Sequence, residues 1–387
     1  LVIGAGPAGI ASAYALKQAN IAYVVFDRAQ TIASTWDSLY PSLRLNTTRF
    51  FSHLPHMRFP WHYGIFPTGR QYHNYLLRFV ARHKLNIRLG ISVQRVSPEG
   101  DKWRVETSHG VYHFRAVICA SGIYGSPVMP KIDGMEAFGG RIIHAHDFRH
   151  PNQVTGENIL VVGNGPSGVD IAVACANTAQ SVAIAIRSGV TFKRRYPYGL
   201  PQHAWMMMGA LLPKMLCQKL MAWVGKADFG DTSHLGLPTP QGRGSITAYQ
   251  GRELIDAVKR KRVQPVSAPI KFCAKHIELA DGRKIVADTV IMATGYEPVL
   301  HRYLDIPMQY SEVFFEPSAP CEWQVGPNGQ RGFPLLDRST HPNGREVLGY
   351  RGLYIVGVWY KGKGAMYNFW IEAQIATQQI RAYLAQS

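Results

Sequence analysis

LVIGAGPAGIASAYALKQANIAYVVFD, residues 1–27, runs from an apolar strand through a glycine loop and an alanine-rich helix into a second apolar strand that ends on an acid. Gly4, Gly6 and Gly9 form a G-x-G-x-x-G, and each glycine has a separate task. The first permits a tight turn, the second lets backbone approach a pyrophosphate, and the third lets helix and strand pack closely. Free amides at the helix N-terminus face the phosphates. Asp27 stands where a carboxylate takes the ribose hydroxyls. A bare glycine pattern is weak evidence. Strand, loop, helix, strand and terminal acid in one unit predict a dinucleotide site.

NILVVGNGPSGVDIAVACANTAQSVAIAIRS, residues 158–188, repeats the design with Gly163, Gly165 and Gly168 in the loop and Ser167 in the first helical turn. Its second strand ends on Arg187 and Ser188 in place of an acid, and Lys193, Arg194 and Arg195 follow. An acid at this place suits a free 2′-hydroxyl and an arginine suits a 2′-phosphate. The first unit therefore reads as an FAD site and the second as an NADPH site. The alternative for Arg187 is an ordinary solvated arginine at a strand end.

Two further apolar strands run into small-residue turns, at 116–130 and at 289–300, and return the chain from one nucleotide domain to the other. Thr294 and Gly295, in the second of these turns, are counted with the cofactor-binding residues. A last apolar strand at 352–359 and a closing helix complete the first sheet. The expected architecture is α/β with two Rossmann-like dinucleotide-binding domains, the NADPH domain inserted into a discontinuous FAD domain. The expected boundaries are 1–150 for the first FAD part, 151–288 for the NADPH domain with an inserted helical segment at about 198–250, and 289–387 for the second FAD part.

The bulk numbers fit this. At 387 residues the chain is long enough for two cores. The formal net charge of +17 favours anionic ligands. No zinc-finger spacing, RNP motif or basic helix with interleaved aromatics is present, so a phosphate-bearing cofactor explains the charge better than nucleic acid does. Cys119, Cys175, Cys217, Cys273 and Cys321 form no C-x-x-C. That argues against a dithiol redox centre and a cysteine zinc site, and for reduced thiols in a cytoplasmic protein. No signal peptide is evident. The chain opens inside a strand, which implies a few preceding residues. The apolar run at 203–225 is interrupted by Pro213, Lys214, Gln218 and Lys219. It reads as a buried or interface helix pair broken at Pro213, in preference to a surface that touches a membrane or a long apolar substrate. A homodimer is compatible with that reading.

FGGRIIHAHDF, residues 138–148, places Phe138, Gly140, His144 and Phe148 as F-x-G-x-x-x-H-x-x-x-F, with Arg149 next. With this stretch the order of motifs resembles the class B flavin-containing monooxygenases over nearly the whole chain. Phe148, where the Baeyer–Villiger branch usually has tryptophan, favours the flavin monooxygenase branch. In that family the segment links the two domains and couples NADPH binding to oxygenation, which implies that His144 is a conformational strut. A metal site built from His144, His146 and Asp147 lacks a further ligand at a defined spacing, and no metal is expected. Asn46, in LRLNTT, matches the family's active-site asparagine beside the flavin ring, so Asn46 and His144 form the implied catalytic pair. The loop FGDTSHLGLPTP, residues 229–240, is similar to the plant YUCCA-type enzymes, which generally lack an asparagine at the Asn46 position. The family usually has Gly-Gly before Thr-Trp. Here Ala33 and Ser34 stand there, with Thr35 and Trp36 retained for FAD.

The resemblance implies an NADPH- and O2-dependent monooxygenase in which reduced FAD forms a C4a-hydroperoxide that a soft nucleophile, an amine or sulfide of a small substrate, attacks. The flavin carries the chemistry and the protein supplies orientation and water exclusion. Two alternatives stay open. One is YUCCA-like or Baeyer–Villiger-like oxygenation of a keto acid or ketone. The other is NAD(P)H-dependent reduction of a quinone or disulfide, against which the missing C-x-x-C counts.

Overall fold

The computed structural model describes residues 1–187, 189–238, 251–307, 336–337, 339, 341–358 and 364–386, and the backbone of 246–248. Ser188 and Cys321 lie outside these residues. The chain divides into two compact units, Leu1–Ser38, Thr47–Ser126 and Tyr296–Ser387 in one, Leu39–Asn46 and Pro127–Gly295 in the other.

The first unit is built on a six-stranded sheet in the order Glu346–Val347, Tyr350–Ile355, Val117–Cys119, Val2–Ile3, Val25–Phe26, Ile87–Arg88. All neighbours are parallel except the first pair. Val2 pairs with Val25 on one side and Ile118 on the other, so the opening strand is central and both its neighbours are apolar. The helix Pro7–Gln18 packs on the closing helix Ala365–Ala385. A three-stranded antiparallel meander, Val93–Glu99, Lys102–Thr107 and Gly110–Phe114, reaches the sheet through Tyr112 and Phe114, whose rings lie 5.3 and 6.1 Å from that of Phe26.

The second unit has a five-stranded, all-parallel sheet in the order Gln264–Ser267, Ser181–Ile186, Asn158–Val162, Thr289–Met292, Arg141–His144. Its central strands are near-continuous apolar runs because helices and loops cover both faces. The helix Pro166–Cys175 buries Val169, Ile171 and Ala172 against this sheet.

Two expectations are corrected here. The boundaries at 150/151 and at 288/289 both fall inside the second unit, which runs from Pro127 to Gly295: its edge strand Arg141–His144 pairs with Thr289–Met292. The segment Leu39–Asn46 also belongs to that unit, held by Tyr40, which is buried and packs toward Phe148 at 6.3 Å. The apolar run at 203–225 does break at Pro213, into Gln202–Ala210 and Lys214–Gly225; of the two expectations, a buried or an interface pair, the first is corrected, since most of its residues are not buried. Only His203, Trp205, Gly209 and Val224 are. Among the described residues no helix is long and apolar enough to cross a membrane.

A buried ion pair joins the residue just before the edge strand Glu346–Val347 to the last helix of the first unit. Arg345 Nη1 donates to Glu372 Oε2 at 3.2 Å, with both side chains almost fully enclosed. The same oxygen accepts from the backbone N–H groups of Gly357 and Val358 at 2.9 and 3.3 Å. Arg345 Nε meets the carbonyls of Asn343 and Gly344. Breaking such a pair from one side leaves an uncompensated buried charge and costs about 3–5 kcal/mol. Glu372→Gln is therefore expected to lower the unfolding free energy measured by urea titration by an amount in that range, and adding Arg345→Met should recover a large part of the loss. A Glu372→Gln protein as stable as the parent would show that the pair does not hold the closing helix.

Candidate functional site

The two glycine loops are near copies in three dimensions. A Cβ on Gly4 would lie 2.6 Å from the Ala120 carbonyl oxygen, and one on Gly163 would lie 2.5 Å from that of Ala293. A Cβ on Gly9 would come within 1.8 Å of the Gly4 oxygen, and one on Gly168 within 1.9 Å of the Gly163 oxygen. Neither helix could start so close to its strand with a side chain at that place. Gly6 and Gly165 are the opposite case: a Cβ on either meets nothing within 4 Å. Each caps a helix whose first turn begins with proline, carries no side-chain cap and contains no acid. Uncapped amides facing open space, with no carboxylate competing for them, make an anion site. Both loops therefore fit a dinucleotide pyrophosphate. Ser167 lies in the first turn of the second helix, half-buried.

The strand-end residues differ as the sequence requires. Asp27 turns back to the first loop, where Oδ2 accepts from the Ala5 N–H at 2.6 Å and Oδ1 from the Ala29 N–H at 2.8 Å. Arg187 is exposed just past the strand Ser181–Ile186. Trp36 packs edge-on to Tyr72 at 4.6 Å, in the segment after Asp27. Ala33 adopts φ 53° and ψ 42°, the left-handed region, where glycine is the unstrained choice. Its N–H donates to the Ala5 carbonyl and its own carbonyl accepts from Trp36, so the strained backbone ties this segment to the first loop.

The stretch 138–148 lies wholly in the second unit. Phe138 packs edge-on to Phe272 at 5.3 Å. Gly140 leaves room for the Asp288 carbonyl, 2.6 Å from where a Cβ would sit. His144 is buried at the end of the edge strand. Its Nδ1 accepts from the His146 N–H at 3.0 Å and its Nε2 donates to the Gly295 carbonyl at 3.1 Å. These two bonds fix the neutral tautomer, and burial holds the imidazole below its ordinary pKa. The same Gly295 carbonyl accepts from Val128 N–H at 3.0 Å, and Thr294 Oγ1 donates to the Val128 carbonyl at 2.5 Å. His144 thus braces the segment 294–295, by which the chain leaves this unit, and Val128 and Thr294 tie that segment to 127–128, by which it enters. With both ring nitrogens used in this way, and His146 Nδ1 bonded to Asp147 Oδ1 at 2.9 Å, the three residues do not converge on a metal. Cys273, His276 and Glu278 do bring ligand atoms within 4.8 Å of one another, but Lys284 Nζ stands 3.3 Å from the Glu278 carboxylate.

Asn46 is exposed, directly after the buried Leu45. Sequence reasoning missed the group that holds this segment. Tyr40 donates to Asp170 Oδ2 at 3.0 Å, on the helix that opens at the second loop. Burial pushes the Asp170 carboxyl up to about 7, with the Tyr40 hydrogen bond and the charge of Arg195 pulling the other way. An acid in the otherwise apolar GVDIAVAC was the available signal.

The chain is similar to proteins of known kind over nearly its full length. Residues 1–203 match the pyridine nucleotide-disulphide oxidoreductase family model. It is 31% identical over 378 residues to the probable indole-3-pyruvate monooxygenase YUCCA9 of Arabidopsis thaliana, covering 94% of this chain and 84% of that one. Among solved structures, the flavin-containing monooxygenase from Stenotrophomonas maltophilia matches with a TM-score of 0.72 at 22% identity, covering 99% and 98% of the two chains. The bacillithiol disulfide reductase from Staphylococcus aureus shares the fold as well, with a TM-score of 0.69 at 15% identity over 98% and 97%. The class defined by fold and paired loops is that of two-site, nucleotide-dependent flavoprotein oxidoreductases. Within it the chain belongs to the flavin-containing monooxygenase family and carries YUCCA-like features. It is a flavin-dependent monooxygenase, and a cyclohexanone monooxygenase from Rhodococcus that shares its fold is solved with NADP+ bound.

The state of Asp170 has a measurable consequence. The folded protein keeps this carboxyl protonated up to about pH 7, whereas an ordinary aspartate ionises near 3.8. The native state therefore binds the extra proton between these values, and the group's contribution to stability falls as pH rises across the window. Asp170→Asn should gain on the parent as pH rises, with the largest difference in melting temperature above pH 7. A difference that stays constant with pH would refute the raised value.

Proposed function

We propose that the chain is an NADPH- and O2-dependent monooxygenase that oxygenates a soft nucleophile, an amine or sulfide of a small organic molecule, through a C4a-hydroperoxyflavin. The observation that carries the reading is the pair of loops with opposite strand-end charge. Gly4, Gly6 and Gly9 with Asp27 and Trp36 would hold FAD. Gly163, Gly165, Ser167 and Gly168 with Arg187 and Ser188 would hold NADPH, with Thr294 and Gly295 closing that domain. On this assignment Leu1–Ser38, Thr47–Ser126 and the residues from Tyr296 onward form the FAD domain. Asn46 would hydrogen-bond beside the flavin ring, an assignment supported by its exposed amide and by Leu45 and Tyr40, which anchor the segment before it. His144 positions the chain segments and moves no proton: both its nitrogens are engaged by backbone. The reaction belongs in the cytoplasm, where NADPH is supplied and thiols stay reduced. Oxygenation of a keto acid is the second reading. It is favoured by the likeness to YUCCA9, whose name gives indole-3-pyruvate as its substrate.

Arg187→Ala should raise the KM for NADPH and leave that for NADH nearly unchanged. Losing a charge-assisted pair costs about 1.5–3 kcal/mol, roughly ten- to a hundredfold in affinity. An equal change for both coenzymes would remove Arg187 from phosphate recognition.

The function itself is tested by the ratio of hydrogen peroxide released to NADPH oxidised, with amine, sulfide and keto-acid substrates. The parent should convert an amine or sulfide with little peroxide release. His144→Ala should reduce flavin at a near-normal rate and yet release peroxide in place of product. An unchanged ratio with a large loss in reduction rate would confine His144 to NADPH binding and favour a reductase.

A further inference from the structure

The exposed apolar surface of this protein is concentrated in one place. Of the nineteen large apolar side chains exposed among the described residues, ten fall between Tyr196 and Trp223. They surround a helical hairpin, Gln202–Ala210 and Lys214–Gly225, that turns at Leu211, Leu212 and Pro213. The hairpin is well made. Gly209 allows the helices to close, since a Cβ there would lie 3.1 Å from Cys217 Sγ. Its root is fixed by Tyr198, stacked on Trp223 at 4.2 Å and 12°, and by Trp205, whose Nε1 donates to the Pro197 carbonyl at 2.9 Å. Its tip faces water with Leu211 86% and Met215 72% exposed. Soluble surfaces rarely gather so many apolar side chains without a partner.

Charge selects the partner. No acidic residue occurs between Asp170 and Asp228, whereas Arg187, Lys193, Arg194, Arg195, Lys214, Lys219 and Lys226 all do. Arg195 is turned toward Asp170, but Lys214 and Lys219 are exposed on the same helix as Met215 and Leu216. A second copy of the chain would bring two faces of like charge together. A protein partner would need an acidic rim of its own. An anionic bilayer surface meets both demands at once, apolar tip to the acyl boundary and lysines to the phosphates. Trp223 at the root is a residue type that settles at headgroup level.

We propose that the hairpin 202–225 docks this protein, tip first, on the surface of an anionic phospholipid bilayer without crossing it. The inference does not depend on the oxygenation chemistry, and its test reads lipid binding alone. The FAD-loaded full chain is floated with vesicles of phosphatidylcholine, and with vesicles of phosphatidylcholine mixed with phosphatidylglycerol, at low and high salt. The parent is expected on the mixed vesicles at low salt, with far less bound to phosphatidylcholine alone or at high salt. Leu211→Glu with Met215→Glu should lower partition at least tenfold. Lys214→Gln with Lys219→Gln should lower it about fivefold per lysine and only on anionic vesicles. All these side chains are exposed, so flavin content and melting temperature should not move. Parent protein that fails to float with the mixed vesicles, or charge variants that float as well as the parent, would overturn the proposal. Sedimentation without lipid gives the remaining arm. A parent dimer that Leu211→Glu with Met215→Glu converts to monomer would assign the face to a second copy and refute the bilayer.

Discussion

A single close approach governs both halves of this molecule. The helix after each glycine loop starts so near its strand that Gly9 sits against the Gly4 carbonyl, and Gly168 against that of Gly163. Any side chain at Gly9 or Gly168 would push the helix away. The strand–helix contact then opens, and the uncapped amides at Gly6 and Gly165 lose their aim. Sheet order follows from the same constraint. The loop strands Val2–Ile3 and Asn158–Val162 are interior, flanked on both sides by parallel neighbours. Their carboxyl ends are where such folds take ligands.

The histidine at 144 shows how a reactive side chain can serve as a strut. An imidazole with one nitrogen accepting and the other donating to backbone has no free lone pair and no free proton to offer. Its rigidity is set by burial, which disfavours the imidazolium. Gly295 provides the shared acceptor, taking hydrogen bonds from His144 and from Val128. On the opposite side of the stretch, Phe148 packs toward Tyr40, and Tyr40 reaches Asp170. A chain of contacts therefore runs from the helix at the second glycine loop to the segment carrying Asn46.

The parts legible in the sequence were those whose cause is local. A G-x-G-x-x-G with its strand and helix is complete within about thirty residues, and both units appear as read. The break at Pro213 is likewise a local steric fact. What escaped depended on distant pairing. Nothing near residue 141 announces that Arg141–His144 will pair with Thr289–Met292, so the sequence alone reads 127–150 as part of the first domain. Nothing near Tyr40 announces Asp170. The exposure of 203–225 is illegible for a related reason: apolar composition states what a helix would gain by burial, not whether the fold offers a place for it. Ala33 was legible as a departure from the family pattern, but only its dihedrals show the left-handed backbone that it occupies.

The interrupted first unit has a consequence for how the protein is made. Its sheet places Val117–Cys119 between Val2–Ile3 and Tyr350–Ile355. Until the ribosome has delivered that last strand, Val117–Cys119 is an open, apolar edge of the kind that invites mispairing. The second unit has no such wait, since all five strands of its main sheet lie between Arg141 and Met292. The first glycine loop thus leaves the ribosome long before the strand that completes its sheet. A nascent chain of which residues up to Gly295 have emerged would carry every strand of the second sheet and one aggregation-prone half, which makes the strand Tyr350–Ile355 and the helix Ala365–Ala385 the point at which quality control has most to act on.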